Sequence, residues 1–253
     1  SCFDDYPEDL ATTRFLMEQM QEGVPHGDIR FLSFYEMEID DEGIPLIDSR
    51  YAKALYRLHP MEILIDERTA SGEPLGAMFL DLYKEGKFAL MNPPEAILLQ
   101  NKSFMALVYA LARTEQFLTA EECALVRRYL VPSYFEEDFA ALMDGTYIRK
   151  EIWGREGKNV RLVEKQGDHA KTVHEKQPDN VDEIICRPSR AAMYQDFIRQ
   201  PRFVHTVDSG TIEGCLTLSC FMLFDTPSAV GARFSPAEIA GTEAYFLPLV
   251  TGS

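Results

Sequence analysis

The chain has 253 residues, enough for a sizeable core in one large domain or two intimate lobes. At 46% apolar and 26% charged it has the composition of a globular protein. The formal net charge of −16 repels nucleic acid and anionic membrane surfaces, so neither is an expected partner, and any anionic ligand must be held by a local basic cluster.

The N-terminal SCFDDYPEDL is acidic and carries no apolar core segment, and Ser1 reads as a start inside a longer gene product. No stretch approaches the ~20 apolar residues of a membrane helix. Cys2, Cys123, Cys186, Cys215 and Cys220 form no C-x-x-C pair, which points away from a disulfide framework or zinc knuckle and towards the cytoplasm.

Residues 7–22 predict an amphipathic helix, with Leu16, Met17 and Met20 on one face and Gly23 ending it. Residues 29–49 predict two strands around the turn IDDEGIP, where Asp41, Gly43 and Pro45 supply turn chemistry. Residues 74–88 fit no single period. Residues 101–113 predict a helix, because Phe104, Leu107, Val108 and Leu111 recur at helical spacing. Thr119 and Glu122 form a capping box opening a helix to about Leu130, before Pro132.

Two alternating runs then flank a charged centre in TYIRKEIWGREGKNVRLV, residues 146–163. Within 149–165, six basic residues (Arg149, Lys150, Arg155, Lys158, Arg161, Lys165) face three acids (Glu151, Glu156, Glu164). A basic island with glycines is what a phosphate site needs, since glycine lets backbone N–H groups approach oxygen. The spacing is not that of a Walker loop. The residues alone therefore fit two readings, a solvated hairpin tip or a phosphate-holding loop. Lys150 shares a strand face with Ile148 and Ile152, so it either snorkels at a sheet edge or reaches into a site. Lys102 lies off the apolar face of its helix and reads as a surface lysine. Trp153 reads as a packing anchor.

Residues 166–181 are polar and aperiodic and predict a mobile loop; 188–199 predict a short helix. Residues 211–224 predict a long strand, followed by a turn and a shorter strand containing Arg233. Ser235 and Glu238 form a second potential capping box, with proline at the first helical position. The order implies an α+β chain of mostly antiparallel sheets with flanking helices. No H-E-x-x-H or other metal spacing and no G-x-S-x-G elbow occurs.

In order, LLQNKSFMALVYAL, TYIRKEIWGREGKNVRLV, MYQDF and GARFSPAEI resemble the glutathionylspermidine synthase family of ATP-grasp amide ligases. YPEDLATTRFLMEQMQEG and ALYRLHPMEILIDE also resemble that family, so the likeness covers essentially all of residues 1–253. It implies an ATP-grasp-like region incomplete at its N-terminus, with a lobe division near 140–190. The implied activity is ATP-dependent carboxylate–amine ligation of small-molecule substrates through an acyl phosphate. The alternative is a non-catalytic nucleotide-binding or scaffold protein that keeps the fold.

The resemblance also implies roles. Lys102 and Lys150 are expected to contact ATP. Gly154, Arg155, Glu156, Gly157, Lys158 and Asn159 would form a flap over the triphosphate. Gln195 would sit near the adenine, Arg233 would meet phosphate or the acyl phosphate catalytically, and Glu238 and Ile239 would line the nucleotide site. Two departures stand out. The family has K-P where this chain has Lys150-Glu151. Its Mg²⁺ ligands lie in an R-x-D-F … E-x-N motif expected upstream of this chain, so no metal ligand is assigned within it.

Overall fold

The structure is a computed structural model that describes residues 1–249 except 47, 70, 156, 176–190, 208–209, 224, 242 and 248. It has two compact units, Ser1–Leu98 and Leu99–Ser253.

The first unit holds helix α1 (Pro7–Gly23), strand β1 (Ala54–Tyr56), helices α2 (Met61–Leu64) and α3 (Leu75–Lys84), and strand β2 (Ala89–Met91). Strand β1 pairs with β2 in parallel. Helix α4 (Ile97–Gln100) spans the division point. Within 74–88, Leu75–Lys84 becomes a helix because Leu75, Phe79 and Leu82 fall on one face and are buried there. They join Phe3, Phe34, Ile44, Leu64 and Phe88 in the core of this unit. Each fully buried side chain of this size contributes about 1.5–3 kcal/mol.

Helix α1 forms as predicted, but Met20 is exposed and Leu16 and Met17 only half-buried, while Thr13 is buried. Among the described residues of 29–49 the two expected strands do not form. The turn does: Asp40 Oδ1 accepts from the Glu42 and Gly43 N–H groups at 2.8 and 3.1 Å. Ser33 Oγ accepts from Tyr35 N at 3.2 Å and opens a 3-10 turn over Phe34–Glu36. These side-chain bonds compete with a ladder, and the pairing here is limited to isolated bridges.

The second unit begins with helices α5 (Ser103–Thr114) and α6 (Ala120–Tyr129). The capping box at Thr119 is complete: its hydroxyl accepts from Glu122 N at 3.2 Å, and Glu122 accepts from Thr119 N at 2.7 Å. Next come β3 (Ser133–Phe135), β4 (Gly145–Glu151), β5 (Arg161–Gln166), β6 (His169–Glu175) and β7 (Ala192–Asp196). They form an antiparallel sheet in the order β3-β7-β4-β5-β6. Then β8 (Arg202–Val207), β9 (Gly210–Leu223), β10 (Thr226–Ser235) and β11 (Tyr245–Leu247) form a second antiparallel sheet, β11-β10-β9-β8. The fold is α+β, with mostly antiparallel sheets and flanking helices.

Several expectations for this unit are corrected. Helix α5 buries Ala106 and Ala112, not the expected face: Phe104 and Leu107 are exposed. The small residues let the helix pack closely, and Tyr109 meets Tyr134 edge-on at 5.7 Å. The loop expected from 166 is strand β6 over His169–Glu175, and 176–181 lie outside the described residues. β6 is an edge strand, and its mostly exposed residues leave no alternation to read. The helix expected over 188–199 is β7, with 188–190 outside the described residues. This central strand is buried on both faces from Ala192 to Gln195, so it too lacks alternation. The second capping box opens no helix. Ser235 Oγ instead shares its one hydrogen between Ala237 O at 3.0 Å and Glu243 Oε1 at 3.2 Å, and the chain bends through 236–239.

Candidate functional site

The register of the five-stranded sheet sorts its residues onto two faces. Gln195 lies opposite both Ser133 and Ile148, and Met193 lies opposite Lys150. Strand alternation puts Ser133, Met193, Gln195, Ile148 and Lys150 on one face. The other face carries Tyr134, Tyr147, Val163 and Tyr194, which form the aromatic core with Phe139 stacked on Tyr194 at 3.8 Å. That core holds the sheet rigid behind Lys150.

Lys150 does not extend to a sheet edge, since β4 is flanked by β7 and β5. Its ammonium donates to Gln195 Oε1 at 2.8 Å. Gln195 Nε2 donates to Ser133 Oγ at 3.0 Å, and Ser133 Oγ donates to Val131 O at 2.8 Å. Gln195 and Ser133 are both buried, and Lys150 is half-buried.

A second lysine meets this site from the start of α5. Asn101 Oδ1 accepts from Ser103 N at 2.9 Å, which nucleates the helix. Lys102 N donates to Ile152 O at 2.9 Å and ties the helix start to the end of β4. The Lys102 ammonium donates to Gly154 O in the glycine loop. That loop is a series of tight turns: Gly154 N bonds Glu151 O at 3.1 Å, Lys158 N bonds Arg155 O at 2.9 Å, and Val160 N bonds Gly157 O at 3.3 Å. Gly157 and Asn159 adopt left-handed φ values of 72° and 55°. Asn159 Nδ2 donates to Glu151 Oε1 at 3.2 Å, closing the loop across its base.

Burial pushes the Lys150 ammonium below its ordinary value, and the nearby Lys102 charge pushes it further in the same direction. Two ammonium groups that raise each other's cost favour an anion between them. Among the described residues no group of three His, Cys, Asp or Glu side chains is placed to hold a metal ion.

The structure thus brings together Lys102, Lys150, Gly154 and Gln195. It places Arg155, Gly157, Lys158 and Asn159 in the adjoining loop, while Glu156 lies outside the described residues. Arg233 stands on the second sheet: its Nη2 donates to Gly241 O at 3.3 Å, and its guanidinium lies 5.2 Å from the Phe246 ring centre. Glu238 is exposed and Ile239 half-buried in the bend after β10. Sequence reasoning missed Ser133 and Glu151. Ser133 gave no signal, being one serine at the start of a short strand. Glu151 did give one, since it stands where the resembled family has proline.

A family model, "Glutathionylspermidine synthase preATP-grasp", matches residues 1–251. Among solved structures, the chain is similar to the ATP-grasp ligase PsnB complexed with minimal precursor. That likeness has a TM-score of 0.40 and 16% identity, over 92% of this chain and 74% of that one. The family match runs through the N-K helix start, the strand bearing Lys150 and the glycine loop alike, and the chain belongs to the glutathionylspermidine synthase preATP-grasp family.

Proposed function

We propose that this chain supplies the nucleotide-phosphate site of an ATP-dependent carboxylate–amine ligase. The observation that carries this reading is the pairing of Lys102 and Lys150 beside a glycine loop. The Lys150 ammonium is half-buried, its pKa lowered by burial and by the Lys102 charge beside it, and it is bonded to the uncharged Gln195 amide oxygen. A phosphate oxygen satisfies that ammonium far better than an amide does, because hydrogen bonds between charged groups are about twice as strong as neutral ones.

In this reaction a carboxylate oxygen attacks the γ-phosphorus of ATP and displaces ADP; the amine then attacks the acyl carbon, phosphate leaves, and loss of the amine proton gives the amide. Such chemistry is catalysed mainly by positioning and charge neutralisation. Lys150 holds a phosphate oxygen from the sheet face. Lys102 exchanges the Gly154 carbonyl for a second oxygen, which frees the loop to close. Gly154 and Gly157 keep the loop backbone open to approach. Arg233 is assigned a further phosphate or acyl-phosphate contact, and Glu238 and Ile239 a place beside the nucleotide. Among the described residues no group of three His, Cys, Asp or Glu side chains would hold the family's Mg²⁺, which would add charge neutralisation at the phosphates. The substrates are small molecules, a carboxylic acid and an amine, and the setting is cytoplasmic.

The test is a titration of the chain with ATP and with adenosine, with and without Mg²⁺, followed by thermal unfolding. ATP at 100 times its dissociation constant stabilises by about 2.7 kcal/mol. A shift with ATP and none with adenosine supports a phosphate-reading site. No shift with millimolar ATP, in a folded sample, overturns it.

A further inference from the structure

Ser133 carries no assigned role, yet it ends a hydrogen-bond chain that begins at Lys150. The direction of that chain is fixed by chemistry. An ammonium only donates, so the atom 2.8 Å from Lys150 Nζ is the amide oxygen of Gln195. The amide nitrogen then lies at the other end of the side chain and only donates, so Ser133 Oγ accepts from it, at 3.0 Å. The single Ser133 hydroxyl hydrogen goes to Val131 O at 2.8 Å, and a carbonyl only accepts. Every bond has one permitted direction, from a cation at one end to a main-chain carbonyl at the other.

We infer that Ser133 is a positioning residue: it locks the Gln195 amide with its oxygen towards Lys150, and so aims the Lys150 ammonium at its ligand. The geometry supports this in three ways. Ser133 and Gln195 are paired across β3 and β7 in register, and Gln195 is in turn opposite Ile148, two residues from Lys150 on the same face. Ser133 is 2% exposed, so water does not stand in for its hydroxyl. Its backbone is held as well: Asp196 N donates to Pro132 O at 3.0 Å, which closes the strand entry beside it. Lys150 spends one N–H on Gln195, leaving the others to aim at an anion. Gln195 therefore serves the phosphate side of the site, beyond the adenine contact expected from its sequence position. A flipped amide would point N–H groups at an ammonium, and the ammonium would swing away.

The inference rests on Lys150 being the phosphate-binding group, but its first test needs no nucleotide. The folded chain is acylated with acetic anhydride over a range of pH, and Lys150 modification is read by mass spectrometry. Only the uncharged amine reacts, so the reaction midpoint reports how well the charged form is held. Ser133→Ala removes the lock, the charged form loses its acceptor, and the midpoint moves down. At a fixed pH below the midpoint, the uncharged fraction of Lys150 rises about tenfold, the scale of one bond to a charged group. Ser133→Thr keeps the hydroxyl and keeps the parent midpoint. Should Ser133→Ala fail to fold, Ser133→Cys fills the same volume with a weak acceptor and moves the midpoint the same way. Gln195→Glu moves it up, because a carboxylate holds the ammonium better than an amide.

ATP affinity is measured on the same variants. Ser133→Ala weakens ATP binding about tenfold, and Ser133→Thr restores it. An unchanged Lys150 midpoint in folded Ser133→Ala or Ser133→Cys overturns the positioning role, whatever ATP does. A midpoint that moves as stated, in a chain whose parent form binds no ATP, keeps the lock and overturns the nucleotide reading alone.

Discussion

Replacing Lys150 by methionine keeps most of the apolar stem and removes the ammonium. In the free chain two effects oppose each other. The Gln195 oxygen loses its donor, which costs about 1–3 kcal/mol. The burial of a charge and its repulsion by Lys102 are both relieved. Stability without ligand therefore changes little. Binding does not share that cancellation. A unit charge about 4 Å from a phosphate oxygen, at an effective dielectric near 20, is worth about 4 kcal/mol. Halving this for solvent at a half-buried site leaves about 2 kcal/mol, or roughly thirtyfold in affinity. ATP at 100 times the parent dissociation constant is then about three times that of the variant. The parent gains about 2.7 kcal/mol and the variant about 0.8 kcal/mol. At roughly 2–4 °C per kcal/mol for a chain of this size, the ATP-induced shift falls from about 5–11 °C to about 2–3 °C. Differential scanning fluorimetry resolves that difference. An equal shift in parent and variant would refute the reasoning and return Lys150 to a lysine that merely packs its stem on the sheet.

Three further predictions follow from the same structure. Since the folded-state Lys150 value is lowered from its ordinary 10.5, the unfolded chain binds more protons in the window between the two. This group's contribution to free-chain stability therefore rises with pH there, while ATP affinity, which needs the charged form, falls through the lowered value; calorimetric titrations across alkaline pH check both signs. Gly76→Ala should destabilise by about 3 kcal/mol, although alanine favours a helix by about 1 kcal/mol. Its Cβ would lie 1.9 Å from Leu64 O and 2.7 Å from Ile65 Cα, both backbone atoms, and urea denaturation gives the sign. Thr119→Ala removes a complete capping box and should cost about 1 kcal/mol, measured the same way.

Helices α1, α5 and α6 and the two strands around the glycine loop were legible because their signals are local. Thr119 and Glu122 cap within one turn, and residues 163–166 alternate between buried and exposed as a half-buried strand does. What was not legible depends on partners far along the chain. β7 reads as no strand because packing on both sides of the sheet buries Ala192 to Gln195 alike, and β6 reads as a loop because nearly all its residues are exposed at the sheet edge. Ser235 and Glu238 satisfy the pattern of a helix start, yet the Ser235 hydroxyl finds Ala237 O and Glu243 instead. The site was half legible. Lys102, Lys150 and Gln195 were reached through their motifs, whereas alternation alone left Lys150 between snorkelling and a site. β4 is an interior strand, which only the pairing order reveals, and this removes the sheet-edge reading of Lys150. Ser133 lies 62 residues from the amide it holds, and no local pattern links them.

In the proposed function Lys102 and Lys150 together hold the phosphates of ATP. The direct measurement is residue-resolved acylation of both lysines in the parent chain, with saturating ATP, with adenosine and with neither. ATP should protect Lys102 and Lys150 at least severalfold, adenosine should not, and lysines elsewhere on the same sheet, such as Lys171 on the edge strand β6, should label equally in all three. Equal labelling of Lys102 and Lys150 with and without ATP would contradict it.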